Sequence, residues 1–222
     1  MRLFLNNLVF FIVICYPLHS EEIKKNYVVK VSGLKIGELS WEMRVTSDNY
    51  SNNLKLKSKG LLSGLYNFKG DYFSGGNNKN KELYSKKYTH FWQTKKNIKK
   101  MDLSFNKNKL VKINQEPVEE EKLRLNVFGI ENTNDPLTAF LNIMMGKKNV
   151  LVVDGRRLYT MGANHDEKSN QTTIQISDYY NLWADHKRNK FEKIIFEKRI
   201  NEILPFKMLI FFDGRVFKLE EN

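Results

Sequence analysis

The chain has 222 residues, 41% of them hydrophobic, and a formal net charge of +12. That length supports one substantial core, since a chain of this size buries roughly 70% of its unfolded surface, while a single cysteine, Cys15, excludes an internal disulfide framework and a multi-cysteine zinc site. Lysine far outnumbers arginine and asparagine is almost as common as lysine, so the charge reads first as a solvated lysine-rich surface and second as a contact for an anionic envelope surface.

Residues 1–20 have the layout of a secretory signal peptide: Arg2 precedes an apolar run from Leu8 to Cys15, Pro17 follows, and a polar start comes at Glu21. The run is shorter than the about 20 apolar residues of a spanning helix. Cleavage near Ser20 is expected, and it removes Cys15 and Arg2, so the net charge falls from +12 to +11. The expectation is an exported, periplasmic protein that is not an integral membrane protein once cleaved, with residues 21–222 as a single β-rich domain. Retention as an uncleaved anchor is the alternative, because Leu18 stands where a small residue is usual and Asn6 and Asn7 interrupt the apolar run. An exported protein seldom meets nucleic acid, so none is expected as a partner.

Beyond Glu21 the dominant pattern has period two, the mark of strands with one buried face. Leu39, Trp41, Met43 and Val45 fall on one side, with Glu38, Ser40, Glu42 and Arg44 on the other. NYVVKVSG before them suggests the first hairpin. Further strands are expected over Leu54 to Lys57, Leu61 to Phe73, Leu83 to Gln93, Ile98 to Phe105 and Lys109 to Ile113. In the third of these, Tyr84, Tyr88, His90 and Trp92 share a face opposite Ser85, Lys87, Thr89 and Phe91. SGGNNKN, Ser74 to Asn80, reads as a solvent loop, and Asn114 to Lys122, with Pro117 and Glu119 to Glu121, reads as a loop or a frayed helical turn.

One helix stands out in NDPLTAFLNIMMGKK: Asp135 suits the N-cap, Pro136 the first turn and Gly146 the C′ position. Leu137, Phe140, Leu141 and Met144 share one face, and Ile143 and Met145 widen it, so cover on more than one side is expected. Later strands are expected over Thr172 to Ile176, Phe191 to Glu197 and Lys207 to Leu219, the last with a turn.

Two Asp-Gly pairs carry the hairpin signal. In VVDGRRLYTMG a two-residue loop at Asp154-Gly155 pairs Val153 with Arg156 and Val152 with Arg157. Arg156 and Arg157 then point to opposite faces, which disfavours a joint clamp on an anion unless a bulge intervenes. In MLIFFDGRVFKLEE the same device pairs Phe212 with Arg215 and Ile210 with Phe217. Met208, Ile210, Phe212, Phe217 and Leu219 then share a core face, and the opposite face, with Leu209, Phe211 and Val216, needs a cover, either the helix or a lipid-like molecule.

The landmarks YVVKVSGLKIGELSWEM, SKGLLSGLYNFKGDYFSGG, NDPLTAFL and VVDGRRLYTM, in that order, resemble the bacterial exported family known as domain of unknown function three-one-zero-eight. The resemblance spans Tyr27 to at least Met161. It implies an envelope protein of mostly antiparallel sheet and supplies no catalytic residue.

His90, His165 and His186 show no local metal-ligand spacing, and no nucleophile elbow or phosphate loop is present. No catalytic residue, metal or cofactor is therefore assigned. The expected fold is mainly β: a single antiparallel, strongly curved sheet or incomplete barrel with one short helix packed against its concave or open side. Such sheets enclose small apolar ligands when side chains do not fill them. The leading reading is a non-enzymatic binding or carrier protein for an amphiphilic or lipid-like ligand, lined by Leu39, Trp41, Met43, Tyr66 and Phe68. Lys95, Lys96, Lys99 and Lys100 are the candidate contacts for an anionic surface. An interaction module of envelope assembly with no internal ligand is the alternative, and a hydrolase hidden from local patterns a weaker third.

Overall fold

Alternating apolar residues give this chain its strands, and two-residue turns tie them into meanders. The structure is a computed structural model that describes residues 21–59, 67–183 and 191–222. The expected signal peptide lies outside the described residues. In the first meander β1 (Glu21–Val31), β2 (Leu34–Val45), β3 (Asn49–Ser58), β4 (Phe68–Lys79), β5 (Glu82–Thr94), β6 (Ile98–Asn106) and β7 (Lys109–Glu116) follow one another. A 3-10 turn at Val127–Gly129, β8 (Thr133–Asn134) and helix α1 (Pro136–Met144) come next. The second meander holds β9 (Asn149–Val153), β10 (Arg157–Asp166), β11 (Gln171–Asn181), β12 (Phe191–Glu197), β13 (Lys207–Phe212) and β14 (Arg215–Glu221).

Antiparallel pairing of β1 with β14 joins the two meanders into one sheet that begins at β7 and ends at β8. Its one parallel pair is β8 with β9. The sheet curls until its ends approach, and the Thr133 amide donates to the Asn108 carbonyl at 3.0 Å. β8 is too short to close the remainder, so the barrel keeps one unsealed seam. The mainly β, incomplete-barrel expectation is met. Among the described residues no helix is long and apolar enough to cross a membrane.

Positive φ at both positions of Ser32-Gly33, Asn80-Lys81, Lys107-Asn108 and Asp213-Gly214 gives four two-residue turns of the hairpin type. The expected loop at Ser74 to Asn80 is instead strand through Lys79, and only Asn80 and Lys81 turn. Its glycines have a steric role: a Cβ on Gly76 would sit 1.9 Å from the Tyr84 carbonyl oxygen. The register slips between Gly75 and Gly76, so Gly75 faces Lys87 and Gly76 faces Ser85. This bulge reverses the parity of β5, burying Leu83 and Ser85 and leaving Tyr84 off the inner face. Likewise β7 runs on to Glu116, into the stretch expected to be loop.

Helix α1 fills the interior. Thr138 through Met144 are all buried, and Phe140 stacks on Trp41 of β2 (5.9 Å, 25°) while meeting Phe196 of β12 edge-on (5.5 Å, 80°). One helix thus touches both meanders, and its other side adjoins a second apolar cluster containing Leu103, Leu110 and Val153. The Met208 and Leu219 face of the last hairpin is covered by the same buried cluster to which the helix belongs. The opposite face lacks that cover; Lys193 lies over the Phe211 ring at 4.5 Å.

Buried hydrogen bonds hold the plug in place. Asp135 caps α1 by accepting from the Leu137 and Thr138 amides, and its second oxygen accepts from the hydroxyls of Ser74, Ser85 and Thr138 at 3.0, 2.7 and 2.5 Å. Asn142 both accepts from the Leu83 amide (2.9 Å) and donates to the Leu83 carbonyl (2.8 Å), replacing a strand partner. At the C-terminal end Lys198 donates to the Met144 carbonyl at 2.5 Å, where a cation also suits the helix dipole.

Candidate functional site

Three regions concentrate polar side chains, and two of them are poorly suited to chemistry. Around Asp135 the hydroxyls of Tyr50, Ser74, Ser85 and Thr138 are all buried and bonded within the cluster. Burial pushes the Asp135 carboxyl up, and hydrogen bonds from Thr138, Ser85 and Ser74 pull it back. This cluster is a helix anchor closed to solvent. A groove of about 460 Å³ crosses the outer face of β3 to β6, with Lys55, Lys69, Asp71, Phe73 and Phe91 on it, and Lys69 already pairs with Asp71 at 3.0 Å.

The third region is the rim where β4, β5 and β6 meet the β9–β10 turn. Cross-strand pairing places Trp41, Leu54, Tyr72, His90, Met101 and Gln115 in one row across β2 to β7. The next row toward the rim holds Leu39, Leu56, Gly70, Trp92 and Lys99. Gly70 leaves room for Trp92, whose ring a Cβ there would approach to 2.9 Å. Trp92 stacks on Phe68 (5.5 Å, 11°) and His90 on Tyr72 (4.5 Å, 15°). Two stacked pairs therefore floor this end of the barrel.

The β9–β10 turn meets that floor from the opposite meander. Val153 pairs with Leu158 and Val152 with Tyr159, so the expected pairing of Val153 with Arg156 is wrong by two residues. Asp154 Oδ1 accepts from the amides of Arg156 and Arg157 at 2.8 and 2.7 Å, which builds a wider turn around an Asx bond. Gly155 packs on the Met101 side chain, whose sulfur would lie 2.3 Å from a Cβ, and its carbonyl accepts from Trp183 Nε1 at 3.0 Å. The Asp154 amide donates to the Arg157 carbonyl at 3.1 Å, and this geometry brings both arginines within electrostatic reach of Lys99.

Positive charge dominates here. Lys99 is pushed down by the partial burial of its ammonium and then by Arg156 and Arg157. Burial lowers His90 to about 4, with Arg156 and Lys99 adding to the shift. Burial opposes the Arg157 charge, but Asp154 and Tyr179 outweigh it, so the guanidinium holds its proton firmly, and it donates to the Tyr179 hydroxyl at 2.9 Å. Among the described residues, His90 Nε2, Gln115 Oε1, Arg157 Nε and Asn181 Oδ1 are buried without a hydrogen-bond partner. Asn181 is the cross-strand partner of Arg157 and Gln115 that of Met101. A crevice of about 370 Å³ continues along β7, lined by Ile113, Gln115, Val118 and Trp183. The charges felt at His90 are cations, not the carboxylate that orients a general base. No group of three or more metal-ligating side chains occurs among the described residues.

A pH dependence follows from His90. Its folded pKa lies below the ordinary 6.5, so below pH 6.5 the unfolded chain takes up a proton that the folded chain refuses until about pH 4. The stability is present above 6.5 and is lost as pH falls, by roughly 3 kcal/mol over that window. Urea unfolding from pH 7 to 4 should show this loss in the wild type and a correspondingly smaller one in His90→Phe; equal slopes in both would contradict it.

The expected ligand-lining residues separate. Leu39, Trp41 and Met43 are at most 6% exposed and belong to the core packed on α1. Phe68 is half-buried at the rim with Trp92. Tyr66 lies outside the described residues. Lys95, Lys96, Lys99 and Lys100 are all exposed in or beside the β5–β6 turn, yet they form no single patch: Lys99 follows the row of Trp92, whereas Lys100 is on the opposite face with Glu116 at 2.8 Å. The place of Trp92 in this rim and the approach of Lys99 to the two arginines escaped the sequence reading. Alternation already put Trp92 beside His90, but contact with a turn more than fifty residues away leaves no local trace.

No protein-family model and no curated protein matches the chain. Among solved structures it is similar to a beta-barrel-like protein of domain of unknown function DUF1849 from Brucella abortus, at 13% identity and a TM-score of 0.48, over 90% of this chain and 95% of that one.

Proposed function

We propose that this chain is an exported, non-enzymatic binding or carrier protein for an amphiphilic envelope molecule, and that it belongs to the family its landmarks resemble. One observation carries the reading: stacked aromatic pairs lie next to cations that make no ion pair among the described residues, Lys99 and Arg156. Stacked aromatics supply apolar area, and the cations supply a polar end. The interior deeper in is filled by α1, so the ligand sits at the rim. The signal-like residues 1–20 support export. Exposed Val111, Val118 and Phe128 near the seam favour the second reading, a protein-interaction module.

Native mass spectrometry of protein released gently from the periplasm separates the two. A retained small mass, lost in Phe68→Ala and Trp92→Ala with affinity down about tenfold or more, is the expected result. A co-purifying protein with no small mass would favour the module, and a small mass unaffected by both substitutions would displace the ligand from this rim.

A further inference from the structure

We infer that Lys99, Arg156 and Arg157 form the seat of a phosphate-type dianion. This deepens the carrier reading and rests on it for the alkyl portion of the ligand, while the seat itself stands on separate observations. Three cations from two meanders, one on β6, one in the β9–β10 turn and one at the start of β10, lie within electrostatic reach of one another, and Gly155 packing on Met101, two residues from Lys99, holds the two elements together. The carboxylate that the turn itself supplies, Asp154, is committed to the amides of Arg156 and Arg157, and its remaining oxygen stands 3.9 Å from Arg157. Three positive charges against one negative leave an excess of two, which a phosphate monoester matches and a carboxylate does not. Arginine adds planar donor forks suited to phosphate oxygens, and the buried Arg157 Nε has no partner. Cations this close repel one another, so their convergence costs stability that an anion would relieve.

The same phosphate chemistry could come from an amphiphile or from free phosphate, and calorimetry distinguishes them. The purified protein is titrated at low salt and pH 8 with inorganic phosphate, dodecyl phosphate and dodecyl maltoside, the alkyl probes below their micellar concentrations. Dodecyl phosphate should bind at least about tenfold more tightly than dodecyl maltoside. Lys99→Gln and Arg156→Gln should each remove about tenfold of that preference and leave dodecyl maltoside unchanged. Arg157 is left in place because its bond to Tyr179 ties it to the fold. Binding of inorganic phosphate without either alkyl probe, weakened by the same substitutions, keeps the seat and removes the carrier. Equal binding of both alkyl probes, unaltered in the two variants, keeps the carrier and overturns the seat. No binding of any probe overturns both.

Discussion

Asp135→Ala should lower the unfolding free energy by about 4 kcal/mol, seen as a drop in the urea midpoint with little change in slope. The side chain is fully buried and accepts from two amides and three hydroxyls. Its removal strands these donors where water cannot replace the lost acceptor, and each stranded donor costs about 1 kcal/mol or more. The hydroxyls can turn toward one another, since Ser74 and Thr138 already lie 2.7 Å apart and Tyr50 reaches Thr138 at 2.5 Å, so the full sum is not reached. Asp135→Asn keeps an oxygen for the amides and should cost only about half as much. A midpoint unchanged in Asp135→Ala would mean that α1 is held by apolar packing alone.

The second large effect is expected at Trp41. Trp41→Ala should cost about 4 kcal/mol, because it opens a cavity between Tyr27 and Phe140 that the helix and sheet cannot both move to fill. It also removes the indole N–H that donates to Asn52 Oδ1 at 2.5 Å. Trp41→Phe keeps the stacking and loses that bond, for about 1 kcal/mol. Unfolding of the ligand-free protein discriminates between roles. Were Trp41→Ala as stable as the wild type, the residue would not be core, and the sequence-based assignment of Trp41 to a ligand lining would regain force.

The two Asp-Gly turns show how far local sequence reaches. At Asp213-Gly214 the two-residue turn forms with the expected register, Phe212 opposite Arg215. At Asp154-Gly155 the same dipeptide gives a wider turn. The first is exposed and follows its own backbone preference. The second is pinned by Met101 and Trp183, and those contacts decide where Arg156 and Arg157 go. Similarly, Ser85 reaches Asp135 only because the bulge at Gly75 and Gly76 inverts the face of β5, and simple alternation assigns it outward.

The sequence by itself determined that this chain forms strands with one apolar face, where α1 begins and ends, and that those strands curl around a single helix. Those properties depend on neighbours within a few residues, through side-chain alternation, capping and turn preference. Only the tertiary structure decided that α1 is a plug bonded to β4 and β5, that Leu39, Trp41 and Met43 are core, and that Lys99 comes within electrostatic reach of Arg156 and Arg157. Such meetings depend on the closure of a sheet whose ends are far apart in the chain, and no local propensity encodes which residues a closing barrel brings face to face.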